Sequence, residues 1–422
     1  MVNAAIERGQ SVPAKVRKNR RLGTIASATT KDSAGGERLI PEPQEPLFPI
    51  LSLKGLLARS GAKVPSIVEQ GDFIEVIAGR YAIGIALDLL DVGAGDEVLV
   101  PACHCTAMID PIVAKGATPM FYKIDRLLNV DIADAGAKVT PKTKAIMASH
   151  MFGFPQDGPA LRRFADQHGI ALIEDCAHAF YGDGMGTYGD FVIGSTRKFF
   201  PIAQGGCLVT KHPGLGGVTL EPRGFVANLR DALTLTERSL KFGRLWLLDP
   251  PLTLLDKLRG KDKLPEPVDG LNPEPPPEER EIDYFPEEEH LGISGLSKLL
   301  WRMTSPGWVA RKRRENYRTL LDLVGDGPGL RPLFPDLPDN VVPFMAAFWV
   351  DRLEEVFPAL EDAALPMQRY GQFLWAGVDE SVCPVSVDMS RHLIQLACHQ
   401  DLTEAELRRI AGAFREIALR EN

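Results

Sequence analysis

The chain has 422 residues and no run of eighteen or more apolar residues, and its first residues lack the charged segment and apolar block of a secretory signal. A membrane-spanning helix and an export leader are therefore not expected; a cytoplasmic location is. Cysteine is scarce: Cys103 and Cys105 lie close together, Cys176, Cys207, Cys383 and Cys398 stand apart, and no Cys/His group has C-x-x-C spacing. That argues against a disulfide-stapled scaffold and a structural zinc site, so no metal is expected and the thiols read as reduced. Positive charge is in the minority, 48 Lys+Arg against 56 Asp+Glu for a net charge of -8, which gives no basis for a broad nucleic-acid surface. What is present is ordinary: 45% hydrophobic and 25% charged residues, a soluble globular composition large enough for two or three units and a core that can bury a cofactor.

Residues 1–31 carry seven Lys/Arg against one acidic residue, Glu7, and prolines follow at 41, 43 and 46. Residues 1–45 read as a flexible basic arm, either a solvated tail or a contact arm. From Phe73 to about Thr210 short apolar strands alternate with helical segments, the pattern of a mainly parallel sheet covered by helices. Helices are expected at Ala82–Leu90, Thr106–Ala114 and Gly158–His168, and strands at Glu97–Val100, Thr118–Tyr122, Ala145–Ser149 and Ile170–Ile173. Glu174 and Asp175 then sit at the carboxyl end of a strand, where open α/β sheets hold their ligands. Between Lys261 and His290 there are seven prolines and eleven acidic residues against three basic ones, which no packed helix or strand accommodates. Helical patterning resumes near Leu291, runs through Arg311–Arg318 and returns at Thr403–Ile417, where Thr403 reads as an N-cap with Glu406 closing a capping box. The expected organisation is an arm at 1–45, a large domain at 46–255, a Pro/Glu-rich insertion or linker at 256–290 and a smaller C-terminal α/β domain at 291–422.

The stretch richest in chemistry is Ile173-Glu174-Asp175-Cys176-Ala177-His178-Ala179, followed by Gly194-Ser195-Thr196-Arg197-Lys198-Phe199-Phe200-Pro201 and Gly205-Gly206. A strand-end acid, an imidazole three residues on and a lysine among small or hydroxylated residues could line one cleft. Pyridoxal phosphate requires such a set: an amine for its aldehyde, a carboxylate for its pyridine nitrogen, and N–H groups, hydroxyls or a cation for its phosphate. Taken alone, an Asp and a Lys in an α/β context also fit a salt bridge or a surface pair.

These blocks, with Pro101, Gly116 and Pro119 before them and Ala397-Cys398-His399-Gln400-Asp401-Leu402-Thr403 near the end, resemble the DegT/DnrJ/EryC1/StrS aminotransferases. The resemblance implies an α/β protein of pyridoxal 5'-phosphate (PLP) fold type I, a homodimer, and amino transfer from L-glutamate to a keto-sugar, possibly nucleotide-linked. It implies that Lys198 forms the Schiff base and shuttles protons, that Asp175 keeps the pyridine nitrogen protonated, and that His178 lies near the phenolic oxygen. His150 resembles the histidine before the family's glycine turn, here Gly153.

Departures from the commonest family pattern qualify this. Ala78-Gly79-Arg80 replaces a Ser-Gly-Thr phosphate loop, leaving the Gly79 backbone and the Arg80 cation as phosphate ligands. Cys105 stands where an aromatic ring commonly stacks on the cofactor, and either Cys105 or neighbouring His104 would face the ring. Ile193 replaces the usual phosphate serine, and Ser195 resembles the serine of a Ser-x-Arg-Lys branch. Arg197 would orient the phosphate or a carboxylate, and Asn228 resembles an element that reaches the neighbouring subunit's cofactor. Two alternatives stay open: a PLP aminotransferase acting on a non-sugar ketone or aldehyde, and a non-catalytic regulatory scaffold of the same fold.

Overall fold

The computed structural model describes residues 29–31, 37–245, 282–372 and 374–420. Strands β1 (Thr29–Lys31) and β2 (Glu37–Leu39) pair antiparallel. Seven further strands form one sheet: β3 (Asp72–Val76), β4 (Glu97–Pro101), β5 (Thr118–Tyr122), β6 (Thr143–Ser149), β7 (Ala171–Asp175), β8 (Phe191–Gly194) and β9 (Gly206–Thr210). Their order is β3-β9-β8-β7-β6-β4-β5. Strands β4 to β8 run parallel, as their buried apolar sequences and intervening helices dictate. At the far edge β9 pairs antiparallel with both β8 and β3.

Alternation along the strands decides which face each side chain serves. Ile173 of β7 and Met147 of β6 join the core beneath the helices Gly79–Leu89 and Thr106–Ala114, while Leu172 and Ile146 join the core on the opposite face. Because successive side chains alternate, Asp175 shares the face of Ile173 and Ser149 that of Met147, whereas Glu174 points the other way. From β4 the chain runs to β5 on one side and then crosses back to β6 on the other, so the sheet's switch point lies at the carboxyl ends of β4 and β6.

A second, all-antiparallel sheet has the order β10-β11-β13-β12, from β10 (Leu330–Pro332), β11 (Met345–Val350), β12 (Met367–Arg369) and β13 (Leu393–Ala397). The helices Pro306–Val324 and Glu404–Ala418 pack on each other beside it. A continuous core joins the two sheets: Phe180, Phe199 and Phe200 meet Val309, Tyr317, Phe344 and Phe348 in one buried cluster.

The expected helices at 106–114 and 158–168 form with those bounds, and the expected helix at 82–90 begins earlier, at Gly79. The second is capped by Asp157, whose side chain accepts from the Ala160 N–H, and ends on Gly169 in the left-handed region. The Thr403 capping box is present with both of its reciprocal bonds. Two readings of poor packing need correction. Glu45, placed in the arm, is buried and ion-paired with Arg409, and Gln44 N–H donates to the Ala364 carbonyl at 3.0 Å. In the Pro/Glu-rich stretch, residues 246–281 lie outside the described residues, but Ile282, Tyr284, Phe285 and Glu289 are buried. Composition concealed this because three apolar side chains there anchor an otherwise acidic segment; Tyr81 and Tyr284 meet with ring centroids 5.3 Å apart. The first 28 residues of the expected arm likewise lie outside the described residues.

Candidate active site

The carboxyl ends of β6, β7 and β8 converge on one cleft. Asp175 closes β7 in direct register with Ser149 of β6, and the Ser149 hydroxyl donates to Asp175 Oδ2 at 3.3 Å while Ala177 N–H donates to Oδ1 at 2.9 Å. Burial raises the Asp175 carboxyl above its ordinary range, and the Ala177 N–H, Lys198 and Ser149 pull against that. Lys198 ends a short 3-10 turn after β8, and its Nζ lies 5.2 Å from the centroid of Phe344. Burial lowers the Lys198 ammonium, Cys105 and Asp175 oppose that, and Arg197 adds to it.

His178 stacks on the same Phe344 ring, centroids 4.3 Å apart and planes at 21°, with Phe152 5.8 Å away on a near-parallel plane. Its Nδ1 accepts from Phe152 N–H at 3.5 Å, which leaves the proton of the neutral imidazole on Nε2. Burial and then Lys198 push this imidazole well below its ordinary range, so it is neutral at physiological pH. Phe152 itself is fully buried with φ of 56°, a conformation few side chains adopt, and adjacent Gly153 has φ of +100° with no room for a Cβ beside the Val342 carbonyl. Lys198, Asp175 and His178 are thus brought together.

Around the first turn of helix Gly79–Leu89 the fit is close. A Cβ on Gly206 would fall 2.4 Å from the Ala78 carbonyl carbon and 2.5 Å from Gly79 N, and one on Gly205 would fall 2.2 Å from Thr196 Oγ1. The two glycines therefore bring the lysine-bearing loop against a helix N-terminus. Ser195 is buried and makes no cap bond to its own turn. Thr196 Oγ1 is buried with no hydrogen-bond partner.

Other expected ligands are placed differently. Arg80 turns to Asp283, forming an ion pair and a bond to its carbonyl, with Asp110 also nearby in charge. Its cation is thereby engaged by a residue of the segment that composition assigned to the insertion. His104 is buried with both nitrogens used: Nδ1 bonds the Pro101 carbonyl at 3.1 Å, and Nε2 accepts from Trp375 N–H at 3.1 Å. One of its faces lies against Phe121, centroids 5.1 Å apart. Cys105, half-buried at the N-cap of helix Thr106–Ala114, is the member of that pair in electrostatic contact with Lys198. Arg197 lies over Phe48, 5.2 Å from the ring centroid. The Asn228 amide is held within its own chain, accepting from Leu296 N–H at 2.8 Å and donating to the Gly224 carbonyl at 3.1 Å.

His150 is structural: Nε2 meets Glu174 Oε2 at 2.9 Å and Nδ1 accepts from Gln156 N–H at 3.1 Å. Glu174 also accepts from Tyr188 N–H at 2.7 Å and from Gly189 N–H. With Cys176 these residues bring potential metal-ligand atoms within 4.8 Å of one another, on the sheet face away from Asp175. Sequence reasoning missed Phe152, Phe344 and Ser149. Only Ser149 left a signal, as the last residue of a predicted strand parallel to the one ending in Asp175.

The donor set suits pyridoxal phosphate: a buried amine, a buried carboxylate and a neutral imidazole beside a helix N-terminus with hydroxyls at hand. Comparison with known proteins agrees. Residues 63–218 match the DegT/DnrJ/EryC1/StrS aminotransferase family. Over 144 residues the chain is 39% identical to the UDP-N-acetyl-3-dehydro-alpha-D-glucosamine 3-aminotransferase of Acidithiobacillus ferrooxidans, covering 32% of this chain and 38% of that protein. It is 26% identical to the dTDP-4-dehydro-2,3,6-trideoxy-D-glucose 4-aminotransferase of Saccharopolyspora spinosa over 363 residues, 83% of this chain and 85% of the relative. The match to the first of these thus spans well under half of its length. The crystal structure of aminotransferase TlmJ from Streptoalloteichus hindustanus superposes with a TM-score of 0.57 at 21% identity, covering 83% of this chain and 88% of that one. That likeness is one of fold, and the fold is type I, a mainly parallel sheet with a smaller C-terminal unit.

Proposed function

From the match of residues 63–218 to the DegT/DnrJ/EryC1/StrS aminotransferase family, we propose that the chain is a member of it, a pyridoxal phosphate-dependent aminotransferase moving an amino group from L-glutamate to a keto-sugar. The observation that carries this reading is the convergence of Lys198, Asp175 and His178 beyond the ends of β7 and β8, with Lys198 and His178 on the Phe344 ring and the Asp175 carboxylate in charge contact with Lys198. When bound, the cofactor supplies an electrophilic aldehyde and an electron-withdrawing ring.

The residues divide the remaining work. Lys198, whose ammonium burial lowers from its ordinary range, takes a proton from the reacting substrate carbon at Nζ and returns it. Asp175, fixed by Ser149 and Ala177, holds a proton on the pyridine nitrogen. His178 Nε2–H is available to donate to the phenolic oxygen. The N–H groups at Gly79 and the Ser195 hydroxyl would hold the phosphate, and Cys105 would face the ring in place of an aromatic side chain.

The nucleotide-linked sugar as acceptor rests on relatives such as the A. ferrooxidans and S. spinosa enzymes, whose names specify such sugars. A homodimer is part of the same reading. Phe225, Val226 and Leu229 are exposed on one helix, and Leu299 and Met303 on the helix packed beside it, an apolar face suited to a second copy. Purified protein supplied with pyridoxal phosphate should develop a visible absorbance band that L-glutamate discharges, and Lys198→Ala should abolish both. A protein that gains no band, or whose band is unaffected by Lys198→Ala, overturns the proposal.

A further inference from the structure

Among the described residues Arg313 is the largest fully buried side chain, at 0% exposure, on the helix Pro306–Val324 of the C-terminal unit. Its partners are carbonyl-type oxygens without exception. Nη2 donates to the Lys198 carbonyl at 2.5 Å, Nη1 to those of Pro343 and Phe344 at 3.2 and 3.1 Å, and Nε to Gln400 Oε1 at 3.0 Å. The guanidinium also covers Phe199, 4.4 Å from the ring centroid. Gln400 completes a bracket, its Nε2 donating to the Phe199 carbonyl at 2.9 Å. A guanidinium desolvated without a directly paired carboxylate is an expensive way to join two units, since apolar residues of similar volume commonly do so at no loss of stability. A planar fork does what they cannot: it fixes several acceptors in one plane at once.

Those acceptors define the reactive geometry. The guanidinium holds the main chain of Lys198 and, on the other side, that of Phe344, the ring on which Lys198 Nζ and His178 both rest. We propose that Arg313, with Gln400, is a positioning residue for Lys198, setting the amine relative to the Phe344–His178 floor through main-chain bonds that span the two sheets. It touches no reacting atom. The proposal concerns this chain's own geometry and rests on the aminotransferase reading only for its second measurement.

The first measurement uses apoprotein: acetic anhydride across a pH series, with acetylation of Lys198 read by mass spectrometry. Arg313→Lys keeps the charge but cannot span four acceptors, and Gln400→Met removes the Phe199 contact and the acceptor of Arg313 Nε while keeping the guanidinium's bonds to Lys198, Pro343 and Phe344. In Arg313→Lys the Lys198 acetylation midpoint should move upward toward that of an ordinary lysine, because the released amine gains solvent. In the second measurement, single-turnover conversion by L-glutamate of the cofactor-loaded protein should slow by about 100-fold, with an apparent L-glutamate affinity changed by less than about 3-fold. If Arg313→Lys does not fold, Gln400→Met carries the test, with shifts in the same directions and a rate loss of about 10-fold. A folded variant with the wild-type acetylation midpoint overturns the proposal. Should the wild type give no conversion with L-glutamate, the donor assignment fails instead, and the acetylation midpoints alone decide the role of Arg313.

Discussion

At the scale of single residues burial shifts the site's two principal groups toward their uncharged forms. Burial lowers Lys198 and raises Asp175, and their mutual attraction only partly offsets it. The consequences for apoprotein stability have definite signs. Between the folded and unfolded pKa of Lys198 the native state carries fewer protons than the unfolded one, so stability rises with pH there; below both values the full penalty is present. For Asp175 the native state carries more protons above the ordinary carboxyl pKa, and stability falls as pH climbs through that window. At neutral pH, Lys198→Met should therefore stabilise the apoprotein by about 1 kcal/mol, which raises Tm by ~2–4 °C. Adding Asp175→Asn should raise Tm further and more than additively, because the first change leaves the carboxylate without its cation. Thermal scans of apoprotein at neutral and alkaline pH check both points; a Tm for Lys198→Met at or below the wild type contradicts the first.

At the scale of elements, legibility followed local signals. The helix Gly158–His168 could be read because cap and stop lie in its own flanks, Asp157 before it and Gly169 after it. The capping box on the last helix was legible for the same reason: the Thr403 hydroxyl accepts from Glu406 N–H at 3.3 Å, and Glu406 Oε2 accepts from Thr403 N–H at 2.7 Å. Thr403→Ala should lower unfolding free energy by about 1 kcal/mol in a denaturant titration and leave cofactor affinity unchanged. Phe344 and Arg313 were illegible because their importance is created by the docking of a unit more than a hundred residues downstream of Lys198, and no periodicity encodes that. The two-glycine turn lies between these cases. Its presence was plain in the sequence, but its reason, contact of Gly206 with the Ala78–Gly79 backbone, exists only when β9 lies beside β3. Gly206→Ala forces that contact apart, so it should cost about 1–3 kcal/mol and weaken retention of pyridoxal phosphate, measured by dialysis and absorbance. Retention equal to wild type would detach the helix N-terminus from phosphate binding.

For the whole molecule, the net charge of -8 concealed a more specific surface feature than any charge patch. Phe225, Val226 and Leu229 are 80%, 69% and 47% exposed, and Leu299 and Met303 on the adjoining helix are 54% and 39% exposed. Leu229 lies three to four residues from Phe225 and Val226, and Met303 four from Leu299, on two helices that pack together, and burying a side chain of this size contributes ~1.5–3 kcal/mol. Phe225 and Val226 open their helix, where acidic residues favour the helix dipole, so Phe225→Asp with Val226→Glu should leave the fold intact. The same pair places four carboxylates across a two-fold interface in which each copy presents this patch to the other. Loss of the apolar burial alone should weaken self-association by at least about 100-fold, and repulsion adds to it. Sedimentation velocity should show a wild-type dimer and a monomeric double variant with an unchanged circular dichroism spectrum. Because the patch begins three residues from Asn228 on the same helix, the monomer should also retain pyridoxal phosphate less tightly if the two copies complete each other's sites. A double variant that sediments as a dimer places the interface elsewhere, and a monomer with wild-type retention means that each chain holds its cofactor alone.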